Sequence, residues 1–216
     1  MAMHIGHVAL RVPDIDAYAA HITAVLGLEV LEQFDDAAYL GTTTARHELQ
    51  LLRGDAGACD HVGLMVDSVE ELEAVAERAV AAGGTRQDDE PEFGCEASTT
   101  IVGPGGVAHQ LYVPSARALR TLNHQLNGSI RRLGHVTFLS SEAAALVAFW
   151  RDGLGFRLSD EATGFTWMRC DVYHHTLAVG PHPAATVLHH HAWEIQDVSA
   201  LTAYCDRNGA AGRPQM

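Results

Sequence analysis

Apolar and polar positions alternate with a period of two near residues 4–11, 28–34, 36–41 and 47–52, which predicts strands there. Over 14–26 the apolar positions return at helical spacing instead. Asp14, after Pro13, is a good N-cap for that helix, and Gly27 a good stop. The plan then recurs: a strand near 60–66, a helix over 69–82 closing at Gly83 and Gly84, and strands near 98–103 and 108–113. Each quarter therefore reads as βαβββ, with one strand of the second quarter unplaced. Residues 116–131 read as a connector, partly helical. From 132 the pattern restarts, with strands near 133–139, 155–160, 164–170, 174–180 and 188–196 and helices near 142–152 and 198–208.

The recurrence is visible in the residues themselves. GHVALRVPDIDAYAAHITAVLGLEV (6–30) matches GHVTFLSSEAAALVAFWRDGLGFRL (134–158) in plan, and HVGLMVDSVEEL (61–72) matches HHAWEIQDVSAL (190–201). His7 and His61 stand 54 apart, and His135 and His190 stand 55 apart; the first residues of the two pairs differ by 128 and the second by 129. One unit is used twice, and each unit has two halves. The expectation is an α+β fold of two modules, at 1–115 and 132–216. In the first unit the last strand, AHQLYVP, begins 47 residues after His61, and the same offset from His190 falls past Met216. The second module is thus expected to be incomplete in its last quarter, by about 30 residues.

Composition bounds the function classes. Hydrophobic residues make up 47% of the 216 and charged residues 19%, as in ordinary globular proteins. A net charge of −13 opposes polyphosphate, so nucleic acid is a poor partner. No apolar run approaches the ~18 residues of a membrane helix. The four cysteines form no CxxC pair, which suits reduced thiols in a cytoplasm. Histidine is the outlier, at 14 residues, and His-rich chains often hold metal.

Strand alternation places His135 with Thr137 on one face, and His190 with Ala192 and Glu194 on another. If both strands join one curled sheet, two imidazoles converge within it. Imidazole suits first-row transition ions, and two His with one carboxylate is the donor set of non-haem Fe(II) oxygenases. LHHHAWEI offers three histidines; the repeat selects His190, the partner of His61. In a regular strand His189 and His191 point the other way.

GHVTFLSSEAAALVAFWRDGLGFRLSD (134–160), MRCDVYHHTLAV (168–179) and LHHHAWEI (188–195), in that order, resemble the catalytic module of type I extradiol ring-cleavage dioxygenases, members of the vicinal-oxygen-chelate superfamily. The resemblance implies tandem βαβββ modules, a metal-free N-terminal one and a catalytic C-terminal one. It implies that His135 and His190 ligate Fe(II), with Mn(II) the alternative ion, and that His175 is the acid–base residue. A bulky ring-contacting residue is implied near Trp167, which shares the strand parity of His175. Thr137 and Ala192, each two past a ligand, are expected to face the substrate. The implied reaction is ring opening of a catechol beside its two hydroxyls, with O2 as the second substrate, in a homo-oligomer.

The family's third ligand is a Glu on the last strand. Its position falls about 49 residues after His190, beyond Met216, by the offset of Gln110 from His61. The resemblance therefore implies a trimmed chain that turns over poorly. A metal at His7, His61 and Gln110 is the alternative within this architecture. Two rival functions remain: a glyoxalase-like metalloenzyme, and a non-catalytic protein that binds a small molecule.

Overall fold

The computed structural model describes residues 3–42, 47–55, 57–87, 93–115, 130–210 and 212. The predicted connector lies outside the described residues except for Ile130 and Arg131, which open a strand. The first module comprises β1 (His4–Val12), α1 (Ile15–Leu26), β2 (Glu29–Gln33), β3 (Ala37–Gly41), β4 (Leu49–Arg53), β5 (Ala58–Met65), α2 (Val69–Ala81), β6 (Thr85–Gln87), β7 (Cys95–Val102) and β8 (Ala108–Pro114). The second comprises β9 (Ile130–Ser140), α3 (Ala143–Asp152), β10 (Arg157–Ala162), β11 (Phe165–Arg169), β12 (Leu177–Pro181), β13 (Thr186–Ile195) and α4 (Val198–Ala210). The strand left unplaced by the sequence pattern is β6, three residues long, too short for alternation to register.

Local chemistry sets the helix ends. The Asp14 carboxylate accepts from the Ala17 N–H at 3.0 Å, and Gly27 ends α1 at φ 79°, in the left-handed region. Ser68 caps α2 by accepting from the Glu71 N–H at 3.2 Å.

The first sheet runs β2-β3-β4-β1-β5-β8-β7-β6 and the second β10-β11-β12-β9-β13. In three quarters the first strand pairs parallel with the last: β1 with β4, β5 with β8, and β9 with β12. The α-helical crossover makes those parallel pairs possible. Halves join through antiparallel pairs, β1 with β5 and β9 with β13. The two His-bearing strands thus lie side by side in each sheet, at the centre of the first and, among the described residues, at one edge of the second. In the first sheet β8 flanks β5 on the outer side; among the described residues, β9 is the strand partner of β13.

The core fills the helix-facing sides of the sheets, with Val8, Leu49, Leu64 and Leu111 in the first module and Val136, Leu177 and Met168 in the second, all buried. Helix α3 ties the modules together. Its Phe149 and Trp150 are buried, worth about 1.5–3 kcal/mol for each large apolar side chain. Arg78 of α2 donates from Nε to the Gly153 carbonyl at 2.8 Å. On the other side, the buried Glu48 carboxylate accepts from the Leu133 N–H at 3.2 Å and from the Thr42 N–H at 2.8 Å.

Candidate functional site

The ladder register of the second sheet lines up one row of side chains. Trp167 pairs with Ala178, Ala178 with Thr137, and Thr137 with His190. Cross-strand partners share a face, so these four look out from the same side of the sheet. His135 and its partner Ala192 lie on that side, two residues from Thr137 and His190. The opposite face carries Val136, Leu177 and Met168, which are core.

On the open face the two imidazoles meet. His135 Nε2 and His190 Nε2 are 3.0 Å apart. Two nitrogens at right angles, each about 2.1 Å from one ion, stand about 3.0 Å apart, so the pair fits a shared first-row divalent cation. Both rings are neutral at pH 7, so each keeps one nitrogen with a free lone pair. Burial, with His175 and His190 nearby, pushes His135 down to about 4. Burial and then His189 lower His190. Among the described residues, no three His, Cys, Asp or Glu side chains gather as a metal site.

His175 stands beside this pair, its ring centroid 4.1 Å from that of His135. It precedes β12 rather than lying within it, since the predicted strand at 174 begins at Leu177. Its loop is held at several points. Asp171 accepts from the Tyr173 N–H at 2.9 Å, and the Arg132 guanidinium lies 3.5 Å above the Tyr173 ring. Thr176 donates to the Met168 carbonyl at 2.8 Å and accepts from the Val136 N–H at 3.1 Å. Burial, then His174 and His190, lower the His175 pKa, leaving a neutral imidazole at pH 7.

The β9–β13 ladder shifts register at three points. The ladder steps from Leu188–Phe138 to His190–Thr137, so His189 is an extra residue in a bulge. Its Nδ1 lies 2.6 Å from Nδ1 of His190 and its ring 6.4 Å from that of Phe165, so it does not turn away as expected. His191 does turn away: it pairs with Val136, and its Nδ1 accepts from the Trp193 indole N–H at 2.8 Å. A second shift follows Ala192 and a third follows Glu194, whose carboxylate is bound by Arg132 rather than turned to the histidines.

The sequence pattern also missed an aromatic wall. Phe165 stacks on Trp167 with centroids 5.9 Å apart. Phe165 lies over Gly180, where a Cβ would stand 2.6 Å from the ring. The signal lay in the parity of Phe165 with Trp167.

The first module carries the same constellation. His7 Nε2 and His61 Nε2 are 2.9 Å apart, and the His47 ring lies 4.4 Å from that of His7. The 40-residue step from His7 to His47 equals that from His135 to His175, a spacing that would have flagged His47. Unlike their counterparts, His7, His47 and His61 are all buried.

The family model described as Glyoxalase/Bleomycin resistance protein/Dioxygenase superfamily matches residues 4–111 and 132–214. The chain is 24% identical to biphenyl-2,3-diol 1,2-dioxygenase of Pseudomonas sp. (strain KKS102), over 97% of this chain and 78% of that protein. It is 24% identical to the manganese-dependent 2,3-dihydroxybiphenyl 1,2-dioxygenase of Geobacillus genomosp. 3, over 93% of this chain and 71% of that protein. Among solved structures, the Mn(II)-bound glyoxalase from Novosphingobium aromaticivorans matches with a TM-score of 0.86 at 25% identity, over 96% of this chain and 70% of that one.

Proposed function

The chain belongs to the glyoxalase/bleomycin resistance protein/dioxygenase superfamily, and on that premise we propose that it is an extradiol ring-cleavage dioxygenase, opening a catechol-type ring beside its two hydroxyls with O2. The observation that carries the reading is the convergence of His135, His190 and His175 on the open face of the second sheet. His135 and His190 would hold Fe(II) or Mn(II). Such an ion, when bound, supplies Lewis acidity and a template for the reactants.

The remaining roles belong to the chain's own groups. A catechol must shed protons to present its oxygens, and the neutral His175 imidazole beside His135 can take one and later return it. Trp167 and Phe165 offer flat apolar surface on which an aromatic ring can stack. Thr137 and Ala192 shape the floor between ring and histidines. Small side chains there leave room for a substituted ring.

Two neutral imidazoles bring no negative charge to a divalent cation. On these donors the ion is held more weakly than by two His and a carboxylate. Purification under anaerobic conditions with excess Fe(II) is therefore the right starting point. Catechol and air should then yield a yellow ring-fission product, lost in His135→Ala and His190→Ala. Tight catechol binding with no product in the iron-loaded protein overturns the reading and leaves a binding protein.

A glyoxalase-like reaction is the second reading, favoured by the likeness to the Mn(II)-bound glyoxalase. It predicts isomerisation of a thiol–aldehyde adduct without O2 uptake, so an oxygen electrode separates the two.

A further inference from the structure

We propose that the first module holds a metal site of its own: a wholly buried first-row divalent ion on His7, His61 and Gln110, with His47 alongside. The expectation of a metal-free N-terminal module came from the resemblance; the geometry points the other way.

The imidazole pair has the spacing of shared ligands. His7 Nε2 and His61 Nε2 are 2.9 Å apart with rings at 83°, against 3.0 Å and 79° for His135 and His190. It is also the better supported pair. The Asp60 carboxylate accepts from His61 Nδ1 at 2.9 Å. That bond puts the proton on Nδ1 and turns the Nε2 lone pair toward His7, as metal-ligating histidines are usually held. The other Asp60 oxygen is paired with Arg11, which holds the carboxylate in place behind His61. The second module has no such carboxylate among its described residues; His190 Nδ1 meets another imidazole instead.

The ladder register brings an oxygen donor to the same place. His7 pairs with Gly63, and Gly63 with Gln110. Gly63 is required there, because a Cβ would stand 2.1 Å from the His7 ring. A parallel row runs Tyr39, Gln50, Ala9, His61, the counterpart of Trp167, Ala178, Thr137, His190.

Unmet polar atoms mark the spot. Of the atoms that could face the ion, His47 Nε2, Gln50 Oε1 and Gln110 Oε1 are buried without hydrogen-bond partners. Buried polar groups are rarely left so, at about 1–3 kcal/mol each; here the two glutamine oxygens lie on the sheet face of His7, and His47 just before β4. Two imidazoles and an amide oxygen suit a borderline first-row cation. Burial on all sides leaves no route for a substrate, so the ion's role is to staple the module.

This inference does not rest on the proposed oxygenase activity, and one experiment separates them. The full chain and its His135→Ala/His190→Ala double variant are loaded with Co(II), passed over a chelating resin and assayed for cobalt, with near-UV circular dichroism to confirm folding. The folded double variant is expected to keep about one cobalt per chain, with a visible d–d spectrum, and Asp60→Asn in that background should weaken binding about tenfold to a hundredfold. Gln110→Leu should shift the spectrum; an unchanged spectrum overturns the assignment of Gln110. A folded double variant that retains no cobalt overturns the site and leaves water as the occupant. Catechol turnover by the wild-type chain is untouched by that result.

Discussion

The indole N–H of Trp150 donates to Nε2 of His109 at 2.8 Å, across the junction of the two modules, with both side chains fully buried. Burial pushes His109 down to about 4, so its ring is neutral and Nε2 stays a bare acceptor at pH 7. Trp150→Phe removes the donor and strands that acceptor in the core. The expected cost is about 1–3 kcal/mol, read as a lower urea midpoint. An unchanged midpoint would mean that water replaces the indole.

His175→Gln keeps a polar side chain of similar reach and removes the proton carrier. On the proposed chemistry, kcat for catechol cleavage should fall by about 10²–10⁴ while metal content stays at the wild-type level. Loss of metal together with activity would instead make His175 a ligand.

Gly180→Ala puts a methyl group where the Phe165 ring lies, at 2.6 Å. The ring must move off the sheet, and with it the stacked surface it forms with Trp167. KM for a bulky catechol should rise while metal retention is unchanged. An unaltered KM would place the ring of the substrate elsewhere.

Gly63→Ala crowds the His7 ring in the same manner, with no open face to yield into. Overpacking of this kind costs about 1–3 kcal/mol. Cobalt retention in the first module should fall along with the melting temperature.

Cys170 is a partly buried thiol pushed up to about 12 by its desolvation, with its Sγ 3.4 Å from the Thr176 hydroxyl. Its thiolate population at pH 8 is about a thousandfold below that of an unperturbed thiol. Iodoacetamide labelling of Cys170 in the native chain should be slow at pH 8 and speed up steeply with rising pH, as mass spectrometry of tryptic peptides can follow.

Much of the fold was legible because it is written twice. The offsets 128 and 129, the Gly-His-Val starts and the Leu-Gly turns place strands and helices to within a few residues. Where the reading slipped, local physics explains it. Three residues at Thr85–Gln87 are too few to show alternation, and the chain at His174–His175 is a loop held by Asp171 and Tyr173 rather than by the sheet. At the site, the repeat selected His135 and His190. The same repeat carries His47, 40 residues after His7, as His175 is 40 after His135.

What the sequence determined by itself is the set of elements and the faces they present, because hydrophobic period and turn residues act over a few neighbours. Pairing is a different matter. That β9 lies against both β12 and β13, so that Trp167, Thr137 and His190 share a row, depends on contacts between residues far apart in the chain. So does the slip at His189, which moves that ring to the side regular alternation denies it. The burial that separates His7, His47 and His61 from their exposed or half-exposed counterparts is likewise a property of the assembled sheets, since only packing decides which side chains lose contact with water.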